Sequence, residues 1–319
     1  MTTLTNRIDA GADTVHWGFF DAKLRPLTTI ESGETITLST VSGGPETLPP
    51  SGFEVPQALR DIHASQSPRL PGHICTGPVE VKGAAPGDVL EVKIQDITFN
   101  YDWGYTAVRP LVGALPDDFD EPHIFHTKID TEARKGLLPW GLELDLAPFF
   151  GVMATAPPPA WGAVSTLPPR RNGGNLDNKE LVAGTTLYLP VFVPGALFSV
   201  GDGHGVQGDG EVCVTAIETG LVGTFELTVR RDMSLEWPMA ETPTHLMTMA
   251  FDPDLDDCVV IALRQMIDLV VARTGLARHD AFALLSLQAD VRVTQVVNGN
   301  KGIHVMLAKR LLDVPKAGA

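Results

Sequence analysis

The sequence predicts a mainly β fold, a β-sandwich-like antiparallel body with a C-terminal α+β subdomain. Residues 88–96 alternate polar and apolar side chains, which is typical of a strand with one solvated face. The chain also contains 31 glycines and 25 prolines, which favour many turns between short elements. Beyond about residue 245 the apolar spacing changes to that of a helix. We therefore expect a β-rich body over residues 1–244 and an α+β subdomain over residues 245–319 packed on it.

The body is expected to consist of several short strands. The clearest one places Leu90, Val92 and Ile94 on the same face. The glycine-rich run 201–210 separates two strand-like segments, which predicts a hairpin with an irregular tip. The predicted strands cover residues 34–41, 88–96, 187–193, 196–200, 211–217 and 224–230.

The C-terminal segment combines helices with strands. Residues 254–274 place apolar side chains at helical spacing, with Asp252 or Asp254 as a candidate N-cap and Gly275 as the C-cap. The other predicted elements are a helix over residues 280–287 and strands over residues 291–297 and 303–307.

Composition excludes several classes of partner. The chain has 24 Lys and Arg against 39 Asp and Glu, a net charge of −15, without a basic cluster that could face nucleic acid or an anionic membrane. Cys75, Cys213 and Cys258 are widely spaced and odd in number, which favours reduced thiols in a cytoplasmic protein. We expect neither a secretory signal nor a membrane span.

The densest group of polar side chains occupies ten residues, 202–211, in and directly after the glycine-rich run. Residues two apart on a strand point to the same side, so Asp202 and His204 are expected to share a face, as are Asp209 and Glu211. A histidine beside several carboxylates suits zinc or another divalent metal. The alternative is an ordinary hairpin in which aspartates cap backbone N–H groups. The group comprises Asp202, His204, Gln207, Asp209 and Glu211.

Other segments offer further candidates. Asp177 follows Gly173 and Gly174, where a backbone can approach a ligand closely, although a polar turn is the alternative. His73 precedes a turn and could supply another ligand or a structural hydrogen bond. Trp103 and Tyr105 suit the wall of a small-ligand pocket, with core packing as the alternative.

At these motifs the chain resembles the acetamidase/formamidase family of amide hydrolases. The glycine–acid–histidine run is the most specific part of the resemblance, which spans most of residues 70–310. Leu176 stands where we expect Met, and Gly203 and Gly205 stand where Ala is expected. The matching segments are residues 73–78, 83–90, 173–177, 201–211, 281–287 and 290–292.

The resemblance implies metal-assisted hydrolysis of a small amide by a homo-oligomer, a dimer or higher. It implies a mostly β body with a C-terminal α+β part and a divalent metal, with zinc as the expected ion. Cyclic amides such as γ-lactams are alternative substrates. Under this hypothesis Glu211 moves the proton, and Gln207 or a glycine N–H in the run 203–210 stabilises the oxyanion. The metal ligands would be His73, Asp177, Asp202 and His204, with Asp209 as an additional carboxylate and Trp103 and Tyr105 lining the pocket.

Two rival hypotheses belong to other classes. In the first, the acidic segment holds a structural cation in a binding protein that breaks no bond. In the second, Cys75 or a serine acts as the nucleophile of an amidase that needs no metal.

Overall fold

A computed structural model describes residues 6–313 and contains two large β-sheets and three α-helices. The helices are α1 (Gln57–Ser65), α2 (Leu255–Thr274) and α3 (Arg278–Gln288), with short 3-10 turns at Pro45–Thr47, Pro159–Trp161 and Lys309–Leu312. Between residues 6 and 313, no helix is long and apolar enough to cross a bilayer. The strands in chain order are β1 (Asn6–Ile8), β2 (Val15–Trp17), β3 (Phe19–Phe20), β4 (Thr28–Ile30), β5 (Glu34–Ser39), β6 (Ile74–Val81), β7 (Val89–Phe99), β8 (Trp103–Val108), β9 (His123–Asp130), β10 (Lys135–Leu137), β11 (Glu143–Asp145), β12 (Phe149–Ala154), β13 (Val164–Ser165), β14 (Gly173–Asn175), β15 (Thr186–Pro190), β16 (Phe198–His204), β17 (Glu218–Thr219), β18 (Leu221–Arg230), β19 (Met239–Glu241), β20 (His245–Asp252), β21 (Asp290–Gln295) and β22 (Lys301–Ala308).

The two sheets are antiparallel apart from the pairs β1–β5 and β4–β6. The first has nine strands in the order β1-β5-β18-β7-β15-β19-β20-β22-β21. The second has eleven strands, with β11-β10-β9-β8-β17-β16-β12-β14 as its main path. Strand β6 pairs with β16 and carries β2 and β4, while β3 and β13 form a separate two-stranded ribbon.

The main hydrophobic core lies between the two large sheets. Phe225 of the first sheet packs against Phe150 and Phe198 of the second, with ring centroids 5.5 and 5.7 Å apart. All three aromatic rings are fully buried, and burial of such large apolar surfaces is a major favourable term in folding. This arrangement confirms the predicted mainly β, sandwich-like body.

Strand β7 shows how the sequence pattern directs this packing. Leu90, Val92 and Ile94 are fully buried, whereas Lys93 and Gln95 on the opposite face are exposed. The alternation of side chains therefore fixes the face that β7 presents to the core, as the sequence predicts.

The C-terminal helices pack on the outer face of the first sheet. Asp254 caps α2 by accepting a hydrogen bond from the Asp256 N–H at 2.8 Å, and Gly275 ends it in the left-handed conformation with φ 75°. Apolar side chains of β20 and β22 pack against α2 and α3. Because β20 also pairs with β19, these strands extend the sheet of the body. The subdomain boundary at residue 244 stays a prediction.

One predicted strand is wrong, because residues 211–217 form a loop. The backbone there includes left-handed conformations at Glu211 (φ 46°) and Val214 (φ 72°), which interrupt a strand. The hydroxyl of Thr215 bonds the N–H and C=O groups of Ala107, at 2.9 and 3.1 Å. These side-chain bonds replace a strand ladder, and the pairing with β16 comes instead from β17, where Glu218 lies opposite His204.

Candidate active site

His204, at the end of β16, lies at the centre of a buried group of carboxylates. Its Nε2 lies 3.3 Å from Asp202 Oδ2, 3.3 Å from Glu218 Oε1 and 4.0 Å from Glu211 Oε1. The imidazole is completely inaccessible to solvent and packs edge-on against Phe149. The antiparallel pairing of β16 with β17 brings Glu218 to this position.

The side chains form two overlapping sets that share His204. The first contains Asp177, His204 and Glu211, and the second contains Asp202, His204 and Glu218. Within each set, one ligand atom per residue lies within 4.8 Å of the others. His73 adds a second imidazole, with Nε2 at 3.7 Å from Asp202 Oδ2.

Three of the carboxylates sit on unusual backbone. Asp177, Asp202 and Glu211 have φ angles of 45°, 57° and 46°. Residues other than glycine rarely adopt this left-handed region, and such conformations concentrate at functional sites. The neighbouring backbone therefore aims these three side chains at a local cost in conformational energy.

The turn between β21 and β22 supplies a bridging amide. Asn298 Nδ2 donates to Asp177 Oδ2 at 3.0 Å, to Glu211 Oε2 at 3.1 Å and to Gln295 Oε1 at 2.9 Å. Gln295 in turn donates to the backbone carbonyl of Asn175 at 2.7 Å. The C-terminal hairpin thus holds two carboxylates of the site in a fixed relation.

Burial and mutual repulsion make the carboxylates of the first set weak acids. Burial, followed by the nearby negative charge of Asp202, raises the pKa of Asp177 to about 8. Burial, followed by the charge of Asp177, raises the pKa of Glu211 well above its ordinary value. Burial also raises the pKa of Glu218. These groups therefore favour either a shared proton or a compensating cation.

Attraction to the histidines has the opposite effect on the pKa of Asp202. Burial opposes ionisation of Asp202, but the charges of His73 and His204 outweigh it and hold the pKa of Asp202 below its ordinary value. Burial likewise opposes a charged imidazole, but Glu218 and Asp202 raise the pKa of His204 well above its ordinary value. The carboxylates around His204 therefore strongly favour a positive charge at the position of its imidazole ring.

The donor set fits a divalent cation. Asp177 Oδ1 and both ring nitrogens of His204 are buried and lack hydrogen-bond partners among residues 6–313. Because buried carboxylates without a compensating charge are costly, four of them around one imidazole indicate a site for positive charge. Oxygen and imidazole ligands suit zinc and other divalent ions. The candidate ligands are His73, Asp177, Asp202, His204, Glu211 and Glu218.

Gly151 in β12 leaves the space that this group occupies. A Cβ atom at Gly151 would lie 2.5 Å from Asp202 Oδ2, 2.6 Å from Asp177 Oδ1 and 2.9 Å from His204 Cε1. Even a methyl group would therefore collide with three members of the site. The absence of a side chain at this strand position is a requirement of the local geometry.

A cavity of about 520 Å³ connects the carboxylates with the protein surface. Asp202, Glu211 and Glu218 line its inner part, and Tyr105 and Arg109 also line it. A cavity of this size with a few convergent polar groups is typical of a small-molecule site.

The structure brings most of the residues predicted from the sequence together. His73, Asp202 and Glu211 line the cavity, as does Tyr105, and the buried His204 and Asp177 lie directly behind them. The long loop between β16 and β17 accounts for the placement of Glu211, which folds back toward Asp177.

Three predicted residues contribute no side chain to the buried group. Asp209 forms a two-pronged ion pair with Arg292, with contacts of 2.8 to 3.0 Å. Gln207 donates to the backbone carbonyl of Asp177 at 2.9 Å, so it positions that residue. Trp103 is buried in a core cluster and donates its indole N–H to the carbonyl of Glu54. Its ring therefore packs as core, the alternative that the sequence leaves open.

Cys75 is poorly suited to act as a nucleophile. Its thiol is fully buried and donates to the His73 carbonyl at 3.8 Å. Burial, with a further contribution from the charge of Asp202, raises the pKa of the thiol well above its ordinary value. The reactive thiolate is therefore disfavoured.

Two side chains of the buried group and its contacts are absent from the sequence prediction. Glu218 directly follows the mostly apolar segment 212–217, and an acid at this position is the signal that could have identified it. Asn298 follows two valines in a turn about 90 residues beyond the acidic segment, and no local pattern links it with Asp177.

Comparison with known proteins identifies the family and the fold of the chain. Residues 54–164 and 159–309 match the sequence model of the Acetamidase/Formamidase family. The chain belongs to this family. Its fold resembles the crystal structure of an acetamidase from Bacillus halodurans, with a TM-score of 0.84 and 32% identity over 96% of this chain and 100% of the other.

Two further family comparisons are informative. An acetamidase from Mycolicibacterium smegmatis is 31% identical, and the match covers 44% of this chain and 49% of that protein. The chain spans about half the length of the curated relatives it matches. A γ-lactamase from Delftia acidovorans shares the fold, with a TM-score of 0.62 and 21% identity over 95% of this chain and 91% of the other.

Proposed function

We propose that this chain hydrolyses linear carboxamides of the formamide and acetamide type, releasing ammonia and a carboxylate. The buried group of four carboxylates around His204, open to a cavity that admits small molecules, is the observation that carries the proposal. Membership of the acetamidase/formamidase family supports the same reaction class.

Glu211 is the proposed proton carrier. It is buried, it lines the cavity, and its raised pKa makes its carboxylate a stronger base than an ordinary glutamate. In the proposed reaction Glu211 accepts a proton from the attacking water. It delivers a proton to the nitrogen as the carbon–nitrogen bond breaks, so that ammonia leaves. Asn298 holds Glu211 in position through the contact at 3.1 Å.

A divalent cation, proposed to be zinc, would be held by carboxylates around His204. Bound there, it would polarise the amide carbonyl group and make water more acidic. Asp177, Asp202 and Glu218 are the proposed carboxylate ligands, and His73 lies within reach of the same position. The unpartnered atoms of Asp177 and His204 support this assignment.

Ammonia release from formamide and acetamide tests the function directly. The protein is assayed as purified, after treatment with a chelator, and after re-addition of zinc. We expect the chelator to remove activity and zinc to restore it. Full activity after verified removal of metal would contradict the metal-assisted reaction, and the absence of turnover in a metal-loaded sample would favour the binding-protein hypothesis.

Opening of a γ-lactam, measured on the same samples, tests the cyclic-amide alternative. The γ-lactamase neighbour shares the fold with this chain, and both activities would use the same carboxylates. A higher kcat/KM for the lactam than for any linear amide would replace the proposed substrate class.

We also propose that the protein is a cytoplasmic homo-oligomer. The three cysteines are unpaired in the described chain, which suits a reducing compartment. Large apolar side chains are exposed at Leu137, Trp140 and Leu142, and contact with a second copy would bury them. Sedimentation in solution distinguishes a monomer from a dimer or larger assembly.

A further inference from the structure

The cavity is larger than a formamide-sized or acetamide-sized substrate requires. Acetamide has four non-hydrogen atoms, and at roughly 30 Å³ for each, the volume of a water in the liquid, it occupies about 120 Å³. The cavity measures about 520 Å³. Most of it therefore lies beyond the reach of a two-carbon amide bound at the carboxylates.

A single positive side chain faces this additional volume. Arg109 is the only Lys or Arg among the described residues that line the cavity. The neighbouring Glu46 is largely exposed, and its Oε1 lies 3.9 Å from Arg109 Nη2. The exposure of Glu46 places Arg109 near the open end of the cavity, whereas the buried carboxylates form the inner end.

The donor groups of Arg109 are largely uncommitted. A guanidinium carries five N–H donors in a planar fork that matches a carboxylate. Within residues 6–313, the guanidinium of Arg109 donates no hydrogen bond to a side chain or to a backbone carbonyl, and its contact with Glu46 exceeds hydrogen-bond distance. The side chain is about one-third exposed, so a ligand in the cavity can reach it.

Building on the proposed amidase function, we propose that the preferred substrates are amides with a carboxylate at the far end, bound by Arg109. The amide group would lie at the buried carboxylates, and the substrate carboxylate would take the place of Glu46 beside the guanidinium. The charge pattern supports this orientation, because a substrate carboxylate is repelled by Asp202, Glu211 and Glu218 and attracted by Arg109. A monoanion suits one guanidinium whose charge Glu46 already offsets in part.

Paired substrates test this specificity. Succinamate and glutaramate are compared with neutral amides of equal length in which an isopropyl group replaces the carboxylate. We expect the wild type to show a higher kcat/KM for the two anions. Arg109→Met should lower kcat/KM for the anions by roughly tenfold to a hundredfold, since it removes a charge-assisted pair, and should leave the neutral amides nearly unchanged.

Arg264→Met is the matched control, because it removes the same charge from the exposed face of α2. If kcat/KM for the anionic amides falls equally in the two variants, the effect is due to net charge and the proposal is overturned. A wild-type preference for the neutral amides, or an equal loss on both substrate types in Arg109→Met, would also overturn it.

A binding measurement distinguishes failure of the amidase function from failure of the Arg109 proposal. If no amide is hydrolysed, calorimetric binding of glutaramate to the full chain still tests the role of Arg109. Binding that Arg109→Met abolishes and Arg264→Met preserves would support the Arg109 subsite, whereas binding unaffected by Arg109→Met would overturn it.

Discussion

At the scale of single residues, the site depends on side chains whose positions are set by unusual backbone. Glu211 has a left-handed φ of 46°, and this conformation turns its carboxyl group toward Asp177 and the cavity. The same carboxyl group accepts a hydrogen bond from Asn298. Replacing the Glu211 carboxyl group by an amide therefore changes its acid–base chemistry and keeps its shape, which makes Glu211 the most informative residue to substitute.

Glu211→Gln should lower kcat at least a hundredfold, because the amide cannot carry a proton between water and the leaving nitrogen. The shape of the side chain and the contact with Asn298 are preserved, so we expect the bound metal to remain. Ammonia release and metal content are measured on the same preparation. Full activity in this variant would remove Glu211 from the mechanism.

Gly151→Ala should disrupt the site by steric collision. The added methyl group would lie within 2.6 Å of carboxylate oxygens of Asp202 and Asp177, so the ligands must separate. We expect metal affinity, measured by calorimetry, to fall at least tenfold. Gly208→Ala is the control, since a Cβ there meets open space; equal affinities in the two variants would contradict the proposed ligand geometry.

At the scale of elements, the loop between β16 and β17 is attached to the C-terminal hairpin by an ion pair. Asp209 in the loop accepts hydrogen bonds from Nε and Nη2 of Arg292 in β21, and Lys179 Nζ lies 3.3 Å from Asp209 Oδ1. Burial raises the pKa of Asp209, but these cations outweigh burial and lower it. This contact fixes the loop that carries Glu211.

Asp209→Asn should lower kcat several-fold while leaving metal affinity within about twofold, because it loosens the loop without removing a ligand. Metal affinity and turnover are measured together. Asp232→Asn, which breaks an exposed pair with Arg230, is the control. A loss of metal affinity of tenfold or more in Asp209→Asn would instead support Asp209 as a ligand.

The elements differ in how well the sequence predicts them. The side chains of β7 alternate between core and solvent, so its sequence predicts a strand. Helix α2 has apolar side chains at helical spacing and a capping residue at each end, so its sequence predicts a helix. Residues 211–217 resemble a strand in composition, yet the left-handed backbone at Glu211 and Val214 makes them a loop. The strand pattern assumed beyond His204 therefore predicted the wrong surroundings for Asp209, and it did not identify Glu218.

The candidate site shows the same limit. Asp202, His204 and Glu211 are close in sequence, so local spacing suffices to group them. Asp177 and His73 join them through strand pairing in the second sheet, which the family resemblance indicates and local spacing does not. Asn298 comes from a turn at the edge of the first sheet, and only the tertiary structure brings it to the site.

At the scale of the whole molecule, the buried charges connect stability with metal binding. Four buried carboxylates repel one another, and a bound cation offsets that repulsion. An ion that binds only the folded state stabilises it by about 2.7 kcal/mol at a hundredfold excess over Kd.

Chelator treatment should therefore lower the midpoint of thermal unfolding by several degrees, and zinc should restore it. The measurement is a calorimetric scan with and without chelator. A chelator already saturated with zinc is the control for effects of the reagent itself. An unchanged midpoint after verified metal loss would contradict a cation bound among these carboxylates.

Acid should destabilise the fold through His16. Its Nδ1 lies 2.6 Å from the Phe19 carbonyl and its Nε2 lies 3.0 Å from Ser199 Oγ, and burial lowers its pKa to about 4. As the pH falls below about 6.5, the unfolded chain binds a proton that the folded chain excludes. His16 alone should therefore reduce the free energy of unfolding by about 2 kcal/mol between pH 7 and pH 5.

Urea unfolding at several pH values checks this expectation in wild type and His16→Asn, whose amide can keep the contact with Phe19. Between pH 7 and pH 5, the free energy of unfolding of the variant should fall by about 2 kcal/mol less than that of the wild type. If the free energy of unfolding falls equally with pH in the two proteins, His16 does not contribute to the acid sensitivity.

The bridging amide of Asn298 links local opening at the sheet edge to the state of the site. Strand β21 is the terminal strand of the first sheet, and edge hairpins are generally among the segments that open most readily. When the turn opens, Asp177 and Glu211 lose their shared donor and the loop loses Arg292. A ligand that immobilises these carboxylates should therefore slow hydrogen exchange at the backbone amides of β21 and β22, which makes the C-terminal hairpin a reporter of occupancy.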